Sequence, residues 1–361
     1  MRIGFAFNLK PALAGMSPSG SPLSSSNDAG RSPPGEASSS CVSQHEAGFA
    51  EWDTEDTIEA VAAALSQVGD VVLLEANGSF PNRLRRARPD LVFNMAESRG
   101  GRAREAHVPA ILEYFGFRYT GSDPLTLAIT LDKVMTKTVL AASGIRTPAF
   151  RVCEPGVRPK KRDVDPPVIV KPLHEGSSIG VRNGSLCHSY GEAVKRVREI
   201  HASWAQPALI ETFLPGREFT CALVGNGSAL RAYPLVEMDF AAFPEDANPI
   251  YSYEAKWVWD RPSDPLPAFR CPARVDERLE REITQTAMVA YRALGCRDWA
   301  RIDLRLDERE RVHVLEVNAL PGVLPDPNQN SSYPKAARAA GLDFDGTILA
   351  VVEAARVRYR I

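Results

Sequence analysis

The side chains best suited to chemistry lie close together in "ARIDLRLDERERVHVLEVN", residues 300 to 318. The segment reads as two strands joined by a charged turn. Strand residues two apart share a face. Arg301 therefore points with Asp303, and Glu316 with Asn318. If the strands pair, carboxylates, a carboxamide and a guanidinium converge on one surface. Mg²⁺ takes hard oxygen ligands and is usually held by one or two carboxylates plus substrate phosphates. Asp303, Glu316 and Asn318 are suitable donors, and Arg301 is a natural partner for a transferring phosphoryl group. A hairpin whose charges simply face water has the same pattern, and the segment alone leaves both readings open.

A second candidate is "IVKPLHEGSSIGV", residues 169 to 181. Val168–Val170 reads as a buried strand, and Lys171 at its end is costly to desolvate unless it meets a partner or a ligand. The loop after it, Glu175 to Gly180, can offer backbone N–H groups to an anion. Taken alone it reads as a strand, an ordinary turn and a solvated lysine. Lys133 lies upstream in another mostly apolar element. "LIETFLPGREF" adds Glu211 at a strand end and Glu218 seven residues later. Such carboxylates could read the donor edge of an adenine and hold ribose hydroxyls. Singly, each is more often a surface charge or half of a salt bridge.

These residues need elements to position them. Met1 to Asn8 reads as a first strand. From about 11 to 48 the chain is rich in Ser, Pro, Gly and Ala, too polar to fold alone, and a disordered loop is expected. A helix follows, with Ile58, Val61, Ala62 and Leu65 at helical spacing and Thr54, Asp56 and Thr57 as cap candidates. Then come the strand "DVVLLEA", a short helix at Asn82–Ala87, the strand "DLVFNMA" and a helix at Glu105–Phe115. This is a βαβ pattern with a parallel sheet. "PLTLAITLDKVMTKTVLAASGI" predicts one helix, stopped by Gly144 and Pro148. "PPVIVKPL", a helix at Gly191–Ser203 and "PALIETFL" predict a small α+β lid. Strands "EFTCALVG" and "RAYPLVEMD", the aromatic loop "NPIYSYEAKWVWD" and a long helix from Glu277 lead into the 300–318 hairpin.

Composition sets outer bounds. With 361 residues the chain suits two or three domains, and 44 % hydrophobic residues can build a core. A net charge of −2 gives no overall field for nucleic acid or an anionic membrane. Cys41, Cys153, Cys187, Cys221, Cys271 and Cys296 show no metal-site spacing and suggest free thiols in a reducing compartment. There is no apolar run long enough to span a membrane and no signal-peptide pattern at the start. A cytoplasmic location is expected.

The order Lys133, Lys171 with its loop, Glu211, Glu218, then Asp303, Glu316 and Asn318 resembles the D-alanine–D-alanine ligase family of the ATP-grasp superfamily. The resemblance runs from about Asp90 to Gly341. It is carried by "YTGS" (119–122), "LDKVMTK" (131–137), "VKPLHEGSSIGV" (170–181), "IETFLPGREFT" (210–220), "YSYEAKW" (251–257), "RIDLR" (301–305) and "LEVNALPG" (315–322). It implies an α/β protein with the ATP-grasp fold: an N-terminal βαβ, Rossmann-like domain (1–120), a central α+β lid (121–215) and a larger C-terminal α+β domain (216–361). It implies a cytoplasmic ATP-dependent carboxylate–amine ligase of peptidoglycan biosynthesis. Such an enzyme works through an acyl phosphate and releases ADP and phosphate. The cofactors implied are ATP and two Mg²⁺ ions, with Mn²⁺ possible. The partners implied are small amino acids or peptides and a second copy of the chain, not nucleic acid or membrane.

Roles follow the matching positions. Lys133 and Lys171 would contact ATP phosphates and adenine. Ser177 and Ser178 would close over the γ-phosphate, Glu211 would face the adenine amino group, and Glu218 the ribose. Lys256 would add a phosphate contact. Asp303, Glu316 and Asn318 would hold the metal ions, and Arg301 would steady the acyl phosphate and the tetrahedral intermediate. The departures concern the amino-acid sites. The family's Gly-Gly-x-Ser-x-Glu segment is interrupted here, leaving Glu51 as the positional candidate for the first amino group. "FNMAESRGGRARE" stands where the family has a His-Gly pair, and Trp257 replaces a tyrosine. "VLPDPNQNSS" replaces a Thr/Ser-rich stretch, so Asp326 and Asn328 are expected to touch the second substrate and favour an amine-rich one. Three alternatives remain: a ligase of the same fold for other amino acids or peptides, an inactive nucleotide-binding module, and a dinucleotide-dependent oxidoreductase. The last lacks G-x-G-x-x-G after the first strand.

Overall fold

The structure is a computed structural model and describes residues 1–11, 49, 51–261 and 264–361. The expected Ser/Pro-rich loop and Cys41 lie outside the described residues, apart from the loop's first position. Strands β1 (Arg2–Phe7), β2 (Asp70–Glu75) and β3 (Leu91–Asn94) pair in parallel in the order β2-β1-β3. Parallel neighbours need crossovers of a dozen or more residues, and helices α1 (Glu55–Ser66) and α2 (Phe80–Ala87) supply them. Thr54 caps α1 by accepting from the Thr57 N–H, and Ile58, Val61 and Leu65 are buried. The helix expected at Glu105 begins as a 3₁₀ turn at Arg104–Ala106 and becomes α3 at His107–Tyr114.

The single helix expected over 124–145 is two helices, α4 (Pro124–Leu131) and α5 (Lys133–Ala142). Asp132 leaves the helical region at φ −88°, ψ 103°. Its carboxylate accepts from the N–H groups of Val134 and Met135, both at 3.0 Å. Apolar periodicity does not register such a break, because an aspartate can cap a new helix without changing the hydrophobic count. The result is positional: Lys133 opens α5, and Lys137 follows one turn later.

Strands β4 (Phe150–Cys153), β5 (Val168–Pro172), β6 (Leu186–Cys187) and β7 (Ala208–Thr212) form an antiparallel sheet in the order β4-β7-β5-β6. Helix α6 (Tyr190–Trp204) buries Ala193, Val197 and Ile200 in one cluster with Val168, Val170, Ala208 and Ile210. Leu127, Leu140 and Ile145, from the helices ahead of β4 in the expected lid span, belong instead to the large cluster of the C-terminal sheet.

That sheet is antiparallel. Strands β8 (Glu218–Val224), β9 (Arg231–Ala232), β10 (Val236–Met238), β11 (Phe269–Arg270), β12 (Trp299–Leu306) and β13 (Val312–Asn318) run in the order β11-β10-β8-β12-β13, with β9 on β8. The strand expected at "RAYPLVEMD" is therefore two, divided around Pro234, whose missing N–H cannot join a ladder. Helices α7 (Glu277–Ala293), α8 (Ser332–Ala339) and α9 (Phe344–Tyr359) bury Ile283, Ala287, Tyr333 and Val351 with Ile302, Leu304, Val314 and Val317. The alternating residues Arg301, Asp303 and Glu316 are left to line a cavity.

Candidate active site

Strands β12 and β13 pair so that Arg301 lies opposite Asn318 and Asp303 opposite Glu316. The convergence that the period-2 pattern required is present. Arg301 Nη2 lies 2.9 Å from Asp303 Oδ2 and 3.8 Å from Glu316 Oε1. Asn318 Nδ2 donates to Asp303 Oδ2 at 3.2 Å, and Thr220 Oγ1 on β8 donates to Asp303 Oδ1 at 2.7 Å. Burial pushes the Asp303 carboxyl up, against the pull of Arg301. Burial also opposes the Glu316 anion, but Lys133 and Lys171 outweigh it and hold that carboxyl down. Among the described residues no three His, Cys, Asp or Glu side chains form a closed cation cage. Asp303, Glu316 and Asn318 offer an open hard-oxygen set, the kind Mg²⁺ accepts when phosphate oxygens complete its shell.

The hairpin forms one wall of a cavity of about 380 Å³. Glu51, Lys133, Lys171, Ser177, Ser178, Glu211, Glu218, Lys256 and Trp257 line the same cavity. Lys171 Nζ, at the end of β5, sits 2.6 Å from Glu211 Oε2 on β7, and Lys137 Nζ sits 2.6 Å from Glu211 Oε1. Burial works against the Glu211 anion, yet these two ammonium groups hold its carboxyl at about 2. Glu211 is thus already engaged on both oxygens. Glu218 accepts from Arg305 Nη1 at 2.8 Å. Lys137 and Arg305 escaped the sequence reading. Lys137 is one helical turn from Lys133 and Arg305 two residues from Asp303, and that same-face spacing was the available signal.

The loop after β5 is folded tightly. Ser177 and Ser178 stand at φ 49° and 59°, in the left-handed region that costs non-glycine residues energy. Ile179 N–H donates to Gly176 O and Val181 N–H to Ser178 O. Gly180, at φ 71°, has no room for a side chain: a Cβ there would meet Pro172 at 2.4 Å. The aromatic loop holds the other side. Ser178 Oγ donates to Tyr251 O at 2.8 Å, and Trp257 Nε1 donates to Ser177 O at 3.3 Å. Lys256 follows within a π-helical turn, Ala255–Trp259. Burial, and then the charge of Arg301, lowers its ammonium to about 8.

Glu51 lines the cavity against the loop that follows β5, where a Cβ on Gly176 would meet its Oε1, and it pairs with Arg104 at 2.7 Å. The sequence reading passed over Arg104, because nothing in local spacing links two charges so far apart in the chain. Asp53, Glu97 and Glu105 also line the cavity. Burial raises Asp53 to about 7, and burial with Glu51 raises Glu105 to about 8. Asp326 and Asn328, expected at the second substrate, do not line the cavity. Asp326 caps its own turn, accepting from the Asn328 N–H at 2.9 Å. Val323, Leu324, Asn330, Ser331 and Ser332 reach the cavity from this segment instead.

An antiparallel lid sheet and an antiparallel hairpin sheet, with cations, a hydroxyl-bearing loop and open carboxylates between them, define the ATP-grasp class. Comparison with known proteins narrows the class. A family model described as D-ala D-ala ligase C-terminus matches residues 141–353. The D-alanine–D-alanine ligase of Bordetella petrii is 33 % identical over 81 % of this chain and 84 % of its own. That of Desulforudis audaxviator is 34 % identical over 83 % and 92 %. The uncharacterized protein y4sG of Sinorhizobium fredii is 35 % identical over 85 % and 90 %. The fold is similar to the crystal structure of D-alanine–D-alanine ligase from Bacillus anthracis complexed with ATP, with a TM-score of 0.68, 19 % identity and coverage of 100 % and 99 %. The chain belongs to the D-alanine–D-alanine ligase family, and it is an ATP-dependent ligase that forms carbon–nitrogen bonds.

Proposed function

We propose that this cavity binds ATP with Mg²⁺ and joins the carboxylate of one small amino acid to the amine of a second. The observation that carries the reading is the convergence of Arg301, Asp303, Glu316 and Asn318 with Lys133, Lys171 and the Ser177–Ser178 loop on one cavity. Lys133, Lys171 and Lys256 bind phosphate oxygens, and the backbone N–H groups of Ser177 and Ser178 close over the γ-phosphate. Glu211 and the backbone beside it face adenine, with Lys137 fixing its charge, and Glu218 faces the ribose. Asp303, Glu316 and Asn318 hold Mg²⁺, which when bound offsets charge on the transferring phosphoryl group. A carboxylate oxygen of the first amino acid attacks the γ-phosphorus and ADP leaves. The amine of the second attacks the acyl carbon, phosphate leaves, and the amine loses a proton. Arg301 stabilises the charge that develops on the acyl oxygens. The loops exclude water, which would otherwise hydrolyse the acyl phosphate.

The relatives' name makes D-alanine the first substrate to test. One observation favours an acceptor that bears an additional ammonium: the carboxylates Asp53, Glu97 and Glu105 all line the cavity. A ligand cation would favour their charged forms. The test is Mg²⁺-dependent release of ADP and phosphate in step with peptide, over a panel of D- and L-amino acids, diamino acids and dipeptides. Release of AMP and pyrophosphate would contradict the acyl-phosphate route.

A further inference from the structure

Arg104 stands behind the cavity wall, where it joins Glu51 to the loop after β5. Its Nη2 donates to Glu51 Oε2 at 2.7 Å and its Nη1 donates to the carbonyl of His174 at 3.0 Å. The pair is largely removed from water, with 10 % of the Arg104 side chain exposed and 13 % of Glu51. Lys133 Nζ donates to the next carbonyl, that of Glu175. Two cations from helical segments outside the β4–β7 sheet thus capture successive carbonyls just ahead of Gly176. Glu51 also presses on the loop: a Cβ on Gly176 would stand 2.2 Å from Glu51 Oε1. Gln206, on the lid, donates to Glu175 Oε1 and accepts from the His174 N–H.

The loop so gripped contains the consecutive left-handed serines. Such a backbone persists only where its surroundings over-determine it. The aromatic loop supplies one set of restraints, and Arg104 with Lys133 supplies the other. A guanidinium can serve a carboxylate and a carbonyl at once in fixed geometry, and an ammonium is a point charge without that fork. Any substrate ammonium that approaches Glu51 competes with Arg104 for the same carboxylate. A change in the Glu51–Arg104 pair is therefore felt at His174 O. Coupling of this kind is reciprocal between Glu51 and the loop.

We propose that Arg104 is a positioning residue that ties Glu51 to the pose of the Gly176–Ser178 phosphate loop. The proposal rests on the ligase reading above for the roles of Glu51 and the loop. Its test compares wild type with Arg104→Met, Arg104→Lys and Glu51→Gln. Three quantities are measured: the ATP dissociation constant, kcat with the best substrate pair, and hydrogen exchange of the Ile179 and Val181 amides. Arg104→Met is expected to weaken ATP binding about 10-fold or more, the worth of a hydrogen bond to a charged group. It should lower kcat by about 10²-fold through misplacement of the loop. Exchange at Ile179 and Val181 should quicken while amides of β1 stay as in wild type. Arg104→Lys should restore part of each loss, and Glu51→Gln should also quicken loop exchange. Arg104→Met or Arg104→Lys with wild-type ATP affinity and wild-type loop exchange overturns the proposal. If Arg104→Met fails to fold, Arg104→Lys and Glu51→Gln decide it by the same readings. Failure of the ligase reading looks different: no peptide from wild type, with the exchange and affinity comparison still able to support or overturn the role of Arg104.

Discussion

At the scale of single residues, the hairpin charges and the buried carboxylates make opposite predictions. Asp303→Asn and Glu316→Gln keep the shape of the cavity wall and remove a charged oxygen from the metal-type set. Each should cut kcat by orders of magnitude while thermal melting stays near that of wild type. Arg301→Met should cost about 10²- to 10³-fold in kcat, as loss of a preorganised donor does. Turnover near wild type in all three would mean that the hairpin is only a charged surface. Asp53 acts on stability. Burial raises its carboxyl to about 7 from 3.8, so the folded state holds the proton more tightly than the unfolded chain. Its contribution is fully present below about pH 4 and is lost as pH rises through 7. Asp53→Asn should therefore melt higher than wild type at pH 8, with the advantage vanishing near pH 4, as melting curves across pH would read. The strand period alone placed Arg301, Asp303, Glu316 and Asn318 on one face, because alternation needs no tertiary information. Arg104 was not legible as a site residue, and for Lys137 and Arg305 the only signal was their same-face spacing from Lys133 and Asp303. Each is defined by a carboxylate distant in the chain, Glu211, Glu218 or Glu51, and a single sequence does not print such pairings.

At the scale of elements, the divided helix before the lid matters most. A continuous helix from 124 to 145 was the natural reading, since its apolar positions keep helical spacing through Asp132. The structure ends α4 at Leu131 and restarts at Lys133 because Asp132 caps α5. Asp132 also accepts from Arg102 Nη2 at 2.8 Å, and Thr136 Oγ1 donates to Ile129 O across the break at 2.7 Å. The break directs Lys133 toward the Glu175 carbonyl and Lys137 toward Glu211. Asp132→Ala should cost about 0.5–2 kcal/mol, the usual worth of an N-cap. Its effect on ATP affinity should exceed its effect on melting, because Lys133 loses its fixed start. Equal ATP affinity for Asp132→Ala and wild type would show that Lys133 is positioned by packing alone. The lid strands and the β12–β13 hairpin were readable from β-branched runs and turn residues. The turn at Asp326 was misjudged for a physical reason: aspartate in a loop often caps its own backbone and so never reaches the cavity.

At the scale of the whole molecule, the site depends on how three sheets are held together, and Asp298 marks one of the junctions. It is fully buried, just before β12. It accepts from the Gly121 N–H at 2.8 Å, from Asn226 Nδ2 at 2.8 Å and from Arg358 on α9 at 2.7 and 2.9 Å. Arg358 in turn donates to Tyr119 O at 2.8 Å. One carboxylate thus joins the "YTGS" segment, the turn after β8 and the last helix, and none of these groups lines the cavity. Sequence could show that each segment exists, but not that a single buried anion gathers them. Breaking a buried ion pair from one side costs about 3–5 kcal/mol, since the remaining charge is left uncompensated. Arg358→Met should therefore lower the urea midpoint strongly, and Asp298→Ala should do the same, with the double variant less severe than the sum. The kcat per folded molecule should stay near wild type at low temperature, because the β12–β13 hairpin keeps its own pairing. A loss of kcat without a loss of stability would mean that this junction shapes the cavity directly instead of holding the first domain and the last helix to the C-terminal sheet.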